Sequence, residues 1–130
     1  MSRITLIVMV LIISSVPGVF AQSVSKSLPK AYLGVWIYEG IADKSASCRA
    51  ITQGGDDDGM LIISADSFRV YLPQVPCKFR KIQFSEDRAI SIEANCAGQV
   101  LKETWSLNKN VLERRMPKGS QARYMQCPSR

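Results

Sequence analysis

Residues 89–97 read Ala-Ile-Ser-Ile-Glu-Ala-Asn-Cys-Ala, and this stretch decides the fold. Apolar and polar side chains alternate along it, so that both isoleucines, the middle alanine and the cysteine share one face of a β-strand. The preceding segment, 77–84, also alternates, and a short turn at 85–88 separates the two. Two alternating segments joined by a short turn predict an antiparallel hairpin.

The same period of two recurs on either side of this hairpin. Further strands are predicted at 33–39, 47–52, 60–64, 67–72, 99–107, 111–116 and 121–127. They follow one another at intervals of roughly 8–12 residues with turn signals between them, and helical spacing is confined to one turn near residues 27–33. The chain is therefore predicted to be all-β, a small antiparallel barrel or sandwich of about eight strands.

The first residues have the three-part pattern of an export signal. Arg3 precedes an unbroken apolar run at 6–13, and helix-breaking residues then lead to small side chains suited to cleavage after residue 21. The run is shorter than the roughly 20 residues that span a bilayer, so the chain is not expected to be membrane-embedded. We predict a signal peptide over 1–21, a flexible leader over 22–30 and a single β domain over 31–130. The protein is then expected in the periplasm or outside the cell.

Four cysteines follow the predicted signal: Cys48, Cys77, Cys96 and Cys127. An even number in an exported chain indicates two disulfides, which would staple the domain. A metal site is the alternative, but there is no C-x-x-C pair and no histidine to complete it. Three pairings are open. Strand order in an up-and-down meander favours Cys77 with Cys96 across a hairpin, and Cys48 with Cys127 across the closure.

The composition excludes much catalytic chemistry. Without histidine there is no Ser-His-Asp triad, no Cys-His pair and no imidazole metal ligand. Carboxylate-based glycoside hydrolysis is the remaining enzymatic alternative, with Glu39, Glu93 and Glu103 on or beside predicted strands. Nothing in the sequence fixes two of them at a working separation, so no enzyme activity and no cofactor are expected. The acidic run at 56–58 is interpreted as a solvated turn, not a calcium or other metal site.

Positive charge is concentrated at the end of the chain. The protein carries a net charge of +6, and residues 22–101 hold nine basic and nine acidic side chains. Residues 102–130 hold seven basic and two acidic side chains, a net charge of +5. This predicts a basic C-terminal face, with binding candidates Arg114, Arg115, Lys118 and Arg123. We refer to these four as the predicted basic patch.

Such a face suits an envelope macromolecule or an acidic protein surface as partner. A charged barrel edge that discourages aggregation is the alternative interpretation. Nucleic acid is not expected, because the aromatic residues do not interleave with the basic ones.

Gly34-Val35-Trp36 resembles the G-x-W that opens lipocalin-like barrels. In that family the tryptophan plugs one end of the barrel and a late arginine packs over it, a part that Arg114 or Arg123 matches. The signal, the early G-x-W, the four cysteines and the terminal Tyr-x-x-Cys are also similar to small exported bacterial domains of uncharacterised function. This resemblance implies a compact periplasmic barrel and no particular activity. An ordinary core tryptophan is the alternative for Trp36. The expected structural core residues are Gly34, Trp36 and Trp105.

Together these features predict a non-catalytic, exported binding or inhibitor-like module that acts as a monomer through its basic face. The alternative is a lipocalin-like carrier of a small apolar ligand. The two differ in whether large side chains fill the barrel. The candidates for filling it are Trp36, Trp105, Phe68, Phe79, Phe84 and Tyr71.

Overall fold

A computed structural model describes residues 24–25, 27–55, 58–70, 75–85 and 87–129. The strands in this part of the chain are β1 (Val24–Ser25), β2 (Gly34–Tyr38), β3 (Met60–Ile63), β4 (Ser67–Val70), β5 (Pro76–Phe84), β6 (Ala89–Cys96), β7 (Gln99–Asn108), β8 (Val111–Arg115) and β9 (Gln121–Gln126). A 3-10 helix spans Lys30–Tyr32 and an α-helix, α1, spans Lys44–Thr52. Neither of these described helices is long and apolar enough to cross a membrane. The predicted signal peptide lies outside the described residues.

Strands β2 to β9 form a closed antiparallel barrel of eight strands. Each strand pairs with the next along the chain, and β9 returns to pair with β2, setting Trp36 opposite Gln126. We call this closing pair the β2–β9 seam. β1 lies outside the ring and pairs with the last part of β5. The all-β prediction is confirmed, and the closed ring makes the fold a barrel, not a sandwich.

Both predicted disulfides are confirmed. Cys77 and Cys96 are direct cross-strand partners on β5 and β6, with Cα atoms 4.2 Å apart. Cys48 lies in α1 and bonds Cys127, which directly follows β9, across 5.6 Å between Cα atoms. The first bridge therefore staples a hairpin, while the second fastens the helix to the β2–β9 seam.

Large apolar side chains fill the barrel. Trp36, Trp105 and Phe68 are at most 1% exposed. Gly34, which was also expected in the core, is exposed because it is the first residue of β2 at the end of the barrel. The rings of Phe68, Phe79 and Trp105 contact one another, with centroids 5.1 to 5.9 Å apart. Further core members from the strands are Leu61, Ile63, Ile82, Ile90, Ile92, Ala94 and Leu112. The inward positions of the predicted hairpin are among them, as its alternation requires.

The prediction of a strand at 47–52 is wrong, because α1 covers this segment. The helix begins after Asp43, whose carboxylate accepts a hydrogen bond of 2.9 Å from the Ala46 amide and so caps it. α1 contacts β2, where the outward-facing Ile37 is fully buried although it lies outside the main core. The helix thus covers part of the outer face of the barrel. Its short polar side chains gave no clear period in the sequence.

The chain before β2 packs at the end of the barrel where that strand begins. Leu28 and Tyr32 are each 6% exposed and belong to the core. The Tyr32 carbonyl accepts a hydrogen bond of 3.0 Å from Nε1 of Trp36. Burial raises the pKa of the Tyr32 hydroxyl above its ordinary value. The segment expected to be a flexible leader, 22–30, therefore supplies a core side chain and, through β1, a strand pair.

Candidate functional site

Arg114 of the predicted basic patch lies inside the barrel. On β8 it follows the fully buried Leu112 by two residues, so both side chains point inward. The Arg114 side chain is only 6% exposed and cannot belong to an outer binding surface. This corrects the expected patch. The physical reason is that strand alternation, not charge, determines which face of β8 the side chain occupies.

Each nitrogen of the interior guanidinium of Arg114 donates a hydrogen bond. Its Nε and Nη2 donate to the two carboxylate oxygens of Glu103, at 2.9 and 2.7 Å. Its Nη1 donates to the Tyr124 hydroxyl at 3.2 Å, while Nε1 of Trp105 donates to Glu103 at 2.6 Å. Burial acts to lower the pKa of Arg114, but the hydrogen bond and charge of Glu103 outweigh burial and hold that pKa above its ordinary value.

The same guanidinium lies over three aromatic rings. Its Cζ is 5.4 to 5.8 Å from the ring centroids of Phe68, Trp105 and Tyr124. Trp36 is not one of these rings, and Arg123 pairs with Glu39 on the outside of the barrel, so the lipocalin-like contact that the G-x-W implied is not confirmed. Every buried side-chain nitrogen and oxygen in the described residues has a hydrogen-bond partner. The Arg114 network is thus a core element whose buried polar atoms each have a hydrogen-bond partner within the protein.

The exposed members of the predicted basic patch are dispersed and partly neutralised. Arg115 pairs with Glu113 at 3.2 Å, and Arg123 pairs with Glu39 at 3.3 Å. Lys118 is exposed in the turn between β8 and β9. Glu39 comes from the other half of the sequence, so counting charges by segment could not show this neutralisation.

A basic groove lies on the outer face of strands β5 to β8. It has a volume of about 550 Å³, and the turn after β8 forms one wall through Met116 and Pro117. We call this the outer groove. Its cationic lining residues are Lys81 from β5, Lys102 from β7 and Arg115 from β8. Arg115 is thus the member of the predicted basic patch that reaches the groove. The other two cations of the groove, Lys81 and Lys102, were not among the predicted binding residues.

An irregularity in β5 places Lys81 on the outer face, where it lines the groove. The pairing of β5 with β6 shifts in register between Phe79 and Lys81, so the consecutive Arg80 and Lys81 both lie on the outer face. The Arg80 side chain is 53% exposed and lies 3.7 Å from Glu93. The sequence carried this signal: the inward residues of β5 have spacings of two, three and two, which indicates one extra residue in the strand.

Cross-strand register arranges the groove in two rows. The first row runs from Lys81 through Glu93 to Lys102. The second row consists of Gln83, Ser91, Thr104 and Arg115. The first row therefore has one ammonium group on each side of a carboxylate. The second row consists of hydrogen-bonding side chains, and its last member carries a guanidinium. This arrangement can hold an anion that spans several strands.

The carboxylates considered for catalysis are all paired with arginines. Glu39 pairs with Arg123 and Glu93 with Arg80 on the outer surface, while Glu103 pairs with Arg114 inside the barrel. The structure does not bring two of these three together as a facing pair. Asp56 and Asp57 of the acidic turn, like Tyr71, lie outside the described residues.

Comparisons with protein-family models, with curated proteins and with solved structures give no match for this chain.

Proposed function

We propose that this protein is an exported, non-catalytic binding module that recognises an anionic macromolecule through its outer groove. The observation that carries the proposal is the contrast between the two faces of the barrel. The interior is filled and its charged groups are paired with each other, whereas Lys81, Lys102 and Arg115 in the outer groove are exposed, although Arg115 also pairs with Glu113. Filling favours recognition from outside over carriage of a small apolar ligand inside.

Export is supported by the signal-like first residues and by the two disulfides, which form and persist in oxidising compartments. We place the protein in the periplasm or outside the cell. An anionic envelope component or an acidic protein surface would be attracted by the charge of the groove, and the attraction would speed association most at low ionic strength.

The test is capture from an envelope extract by the immobilised, disulfide-bonded protein. The groove variant carries Lys81→Gln, Lys102→Gln and Arg115→Gln. A control variant removes three exposed cations elsewhere, through Lys30→Gln, Arg49→Gln and Arg69→Gln, and so has the same net charge. We expect the wild type and the control to retain a component at about 0.02 M salt and to release it near 0.5 M.

The groove variant is expected not to retain that component. Equal retention by the groove and control variants would show that the outer groove is not the binding surface. Native mass spectrometry of the protein purified from cells gives an independent check, since a bound small-molecule mass would favour the carrier function instead.

A further inference from the structure

The spacing of charges in the outer groove selects among anionic partners. Lys81 and Lys102 stand two strands apart in one row, which places their Cα atoms about 10 Å from each other. Arg115 lies one strand further and in the next row, about 8 Å beyond Lys102. The three cations therefore follow a bent line of about 18 Å across the strands.

Glu93 interrupts this line of cations. It is the cross-strand partner of both Lys81 and Lys102, so its carboxylate lies between them. Its side chain keeps 28% of its area exposed and has Arg80 at 3.7 Å. A ligand with an anionic group midway between the two lysines would be repelled there, whereas one with anionic groups at the lysines only would not. Discrimination by such a repulsive element is a common source of specificity.

We propose that the outer groove binds an acidic segment of a protein in the polyproline II conformation, with carboxylates three residues apart and no acidic residue directly between them. The inference rests on the proposed function and specifies its partner. In the polyproline II conformation, which has three residues per turn, side chains three residues apart lie on the same face about 9 Å from each other, close to the separation of Lys81 and Lys102. A further carboxylate two or three residues along reaches Arg115.

The rest of the groove suits a peptide backbone. Ser91 and Thr104 bring hydroxyls, which can pair with peptide N–H and C=O groups. Met116 and Pro117 form a partly apolar wall for side chains. Among the described residues no aromatic side chain lines the groove, so these residues offer no stacking surface for nucleobases or sugar rings.

Two fluorescent hexapeptides of equal composition and charge test the proposal. The spaced peptide is Asp-Gly-Gly-Asp-Gly-Asp. The contiguous peptide is Gly-Gly-Asp-Asp-Asp-Gly, which is also the sequence of residues 54–59 of this chain. Binding to the purified, disulfide-bonded protein is measured by fluorescence anisotropy at low ionic strength. We expect the spaced peptide to bind about fivefold more tightly, a factor that one or two exposed ion pairs supply.

Variants show whether the geometry causes this preference. Glu93→Gln is expected to bring the two peptides to equal affinity by strengthening binding of the contiguous one. Lys81→Gln with Lys102→Gln is expected to abolish the preference, while the control variant altered at residues 30, 49 and 69 keeps it. Circular dichroism checks that each variant is folded. Equal affinities in the wild type, or an unchanged ratio in Glu93→Gln, would overturn the inference.

A third probe separates this inference from the proposed function. Heparin, a sulfated polysaccharide, is titrated against the same variants. If neither peptide binds but heparin binds in a groove-dependent manner, the peptide inference fails and the anion-binding function stands. If peptides and heparin bind the wild type and the groove variant equally, or fail to bind at all, both proposals fail.

Discussion

Removing the Glu103 carboxylate should destabilise the barrel far more than removing any surface charge. In Glu103→Ala, the buried guanidinium of Arg114 loses two short hydrogen bonds and its counter-charge, while Nε1 of Trp105 loses its acceptor. Breaking a buried ion pair by deleting one partner costs about 3–5 kcal/mol. Because a domain of this size has a total stability of about 5–15 kcal/mol, this loss brings it near the threshold of folding.

The assay is urea unfolding at neutral pH, with the disulfides intact and tryptophan fluorescence as the signal. With a slope of about 2 kcal/mol per molar urea, a loss of 4 kcal/mol lowers the midpoint by about 2 M. Glu113→Ala is the matched control, since it removes a carboxylate from the exposed pair with Arg115. That change should cost about 0.2–1 kcal/mol.

A double variant isolates the unpaired charge as the cause. Combining Glu103→Leu with Arg114→Leu removes both buried charges and leaves only the neutral partners Trp105 and Tyr124 without their hydrogen bonds. The double variant should therefore be more stable than Glu103→Ala by about 2 kcal/mol, because an uncompensated charge costs more than an unpaired neutral group. Equal losses in Glu103→Ala and Glu113→Ala would refute this account of the core.

Two further predictions concern the two disulfides and the pH dependence of stability. Replacing Cys48 and Cys127 by serine opens a loop of sequence separation 79 and should lower the free energy of unfolding by about 4.5 kcal/mol. Replacing Cys77 and Cys96, whose separation is 19, should lower it by about 3.3 kcal/mol. Thermal or urea unfolding measures both losses, and equal losses would contradict the loop-entropy explanation. A hydrogen bond from the Ser85 hydroxyl, and to a smaller extent one from the Ala89 amide, lowers the pKa of Asp87. The ionised Asp87 therefore stabilises the fold above about pH 3.9, and this stabilisation is lost as the pH falls through the lowered pKa. Ser85→Ala should raise that pKa in an NMR titration, and an unchanged value would contradict the assignment.

Much of the barrel was readable from side-chain alternation. Segment 89–97 buries every second residue, and 77–84 does so apart from one extra residue between Phe79 and Ile82. This period persists because one face of each strand packs against the core. Strand order then predicted both disulfides, since sequential pairing makes neighbours of β5 and β6 and closure brings β9 to the start of the barrel. The segment at 47–52 failed because a short, polar helix on the outer face buries too little to impose a period.

The site was harder to predict because its charged residues come from separate segments and become neighbours only across the sheet. Arg114 has the same parity as Leu112, so alternation already placed it inside, but its charge suggested the surface. The groove draws Lys81 from a segment of zero net charge and Lys102 from the basic end. These lysines come together through the pairing of β5, β6 and β7, whose order the sequence predicted, but the exact register and the extra residue in β5 that align them were not predicted.

The β2–β9 seam also sets the order in which the molecule can fold. Every other pair in the ring joins strands that follow one another along the chain, so those contacts can form locally and quickly. The seam can form only when β9, the last strand, meets β2. This step carries the entropy cost of closing a long loop. We therefore expect the slow phase of folding to be the arrival of β9 at β2, with the bond between Cys48 and Cys127 forming only afterwards.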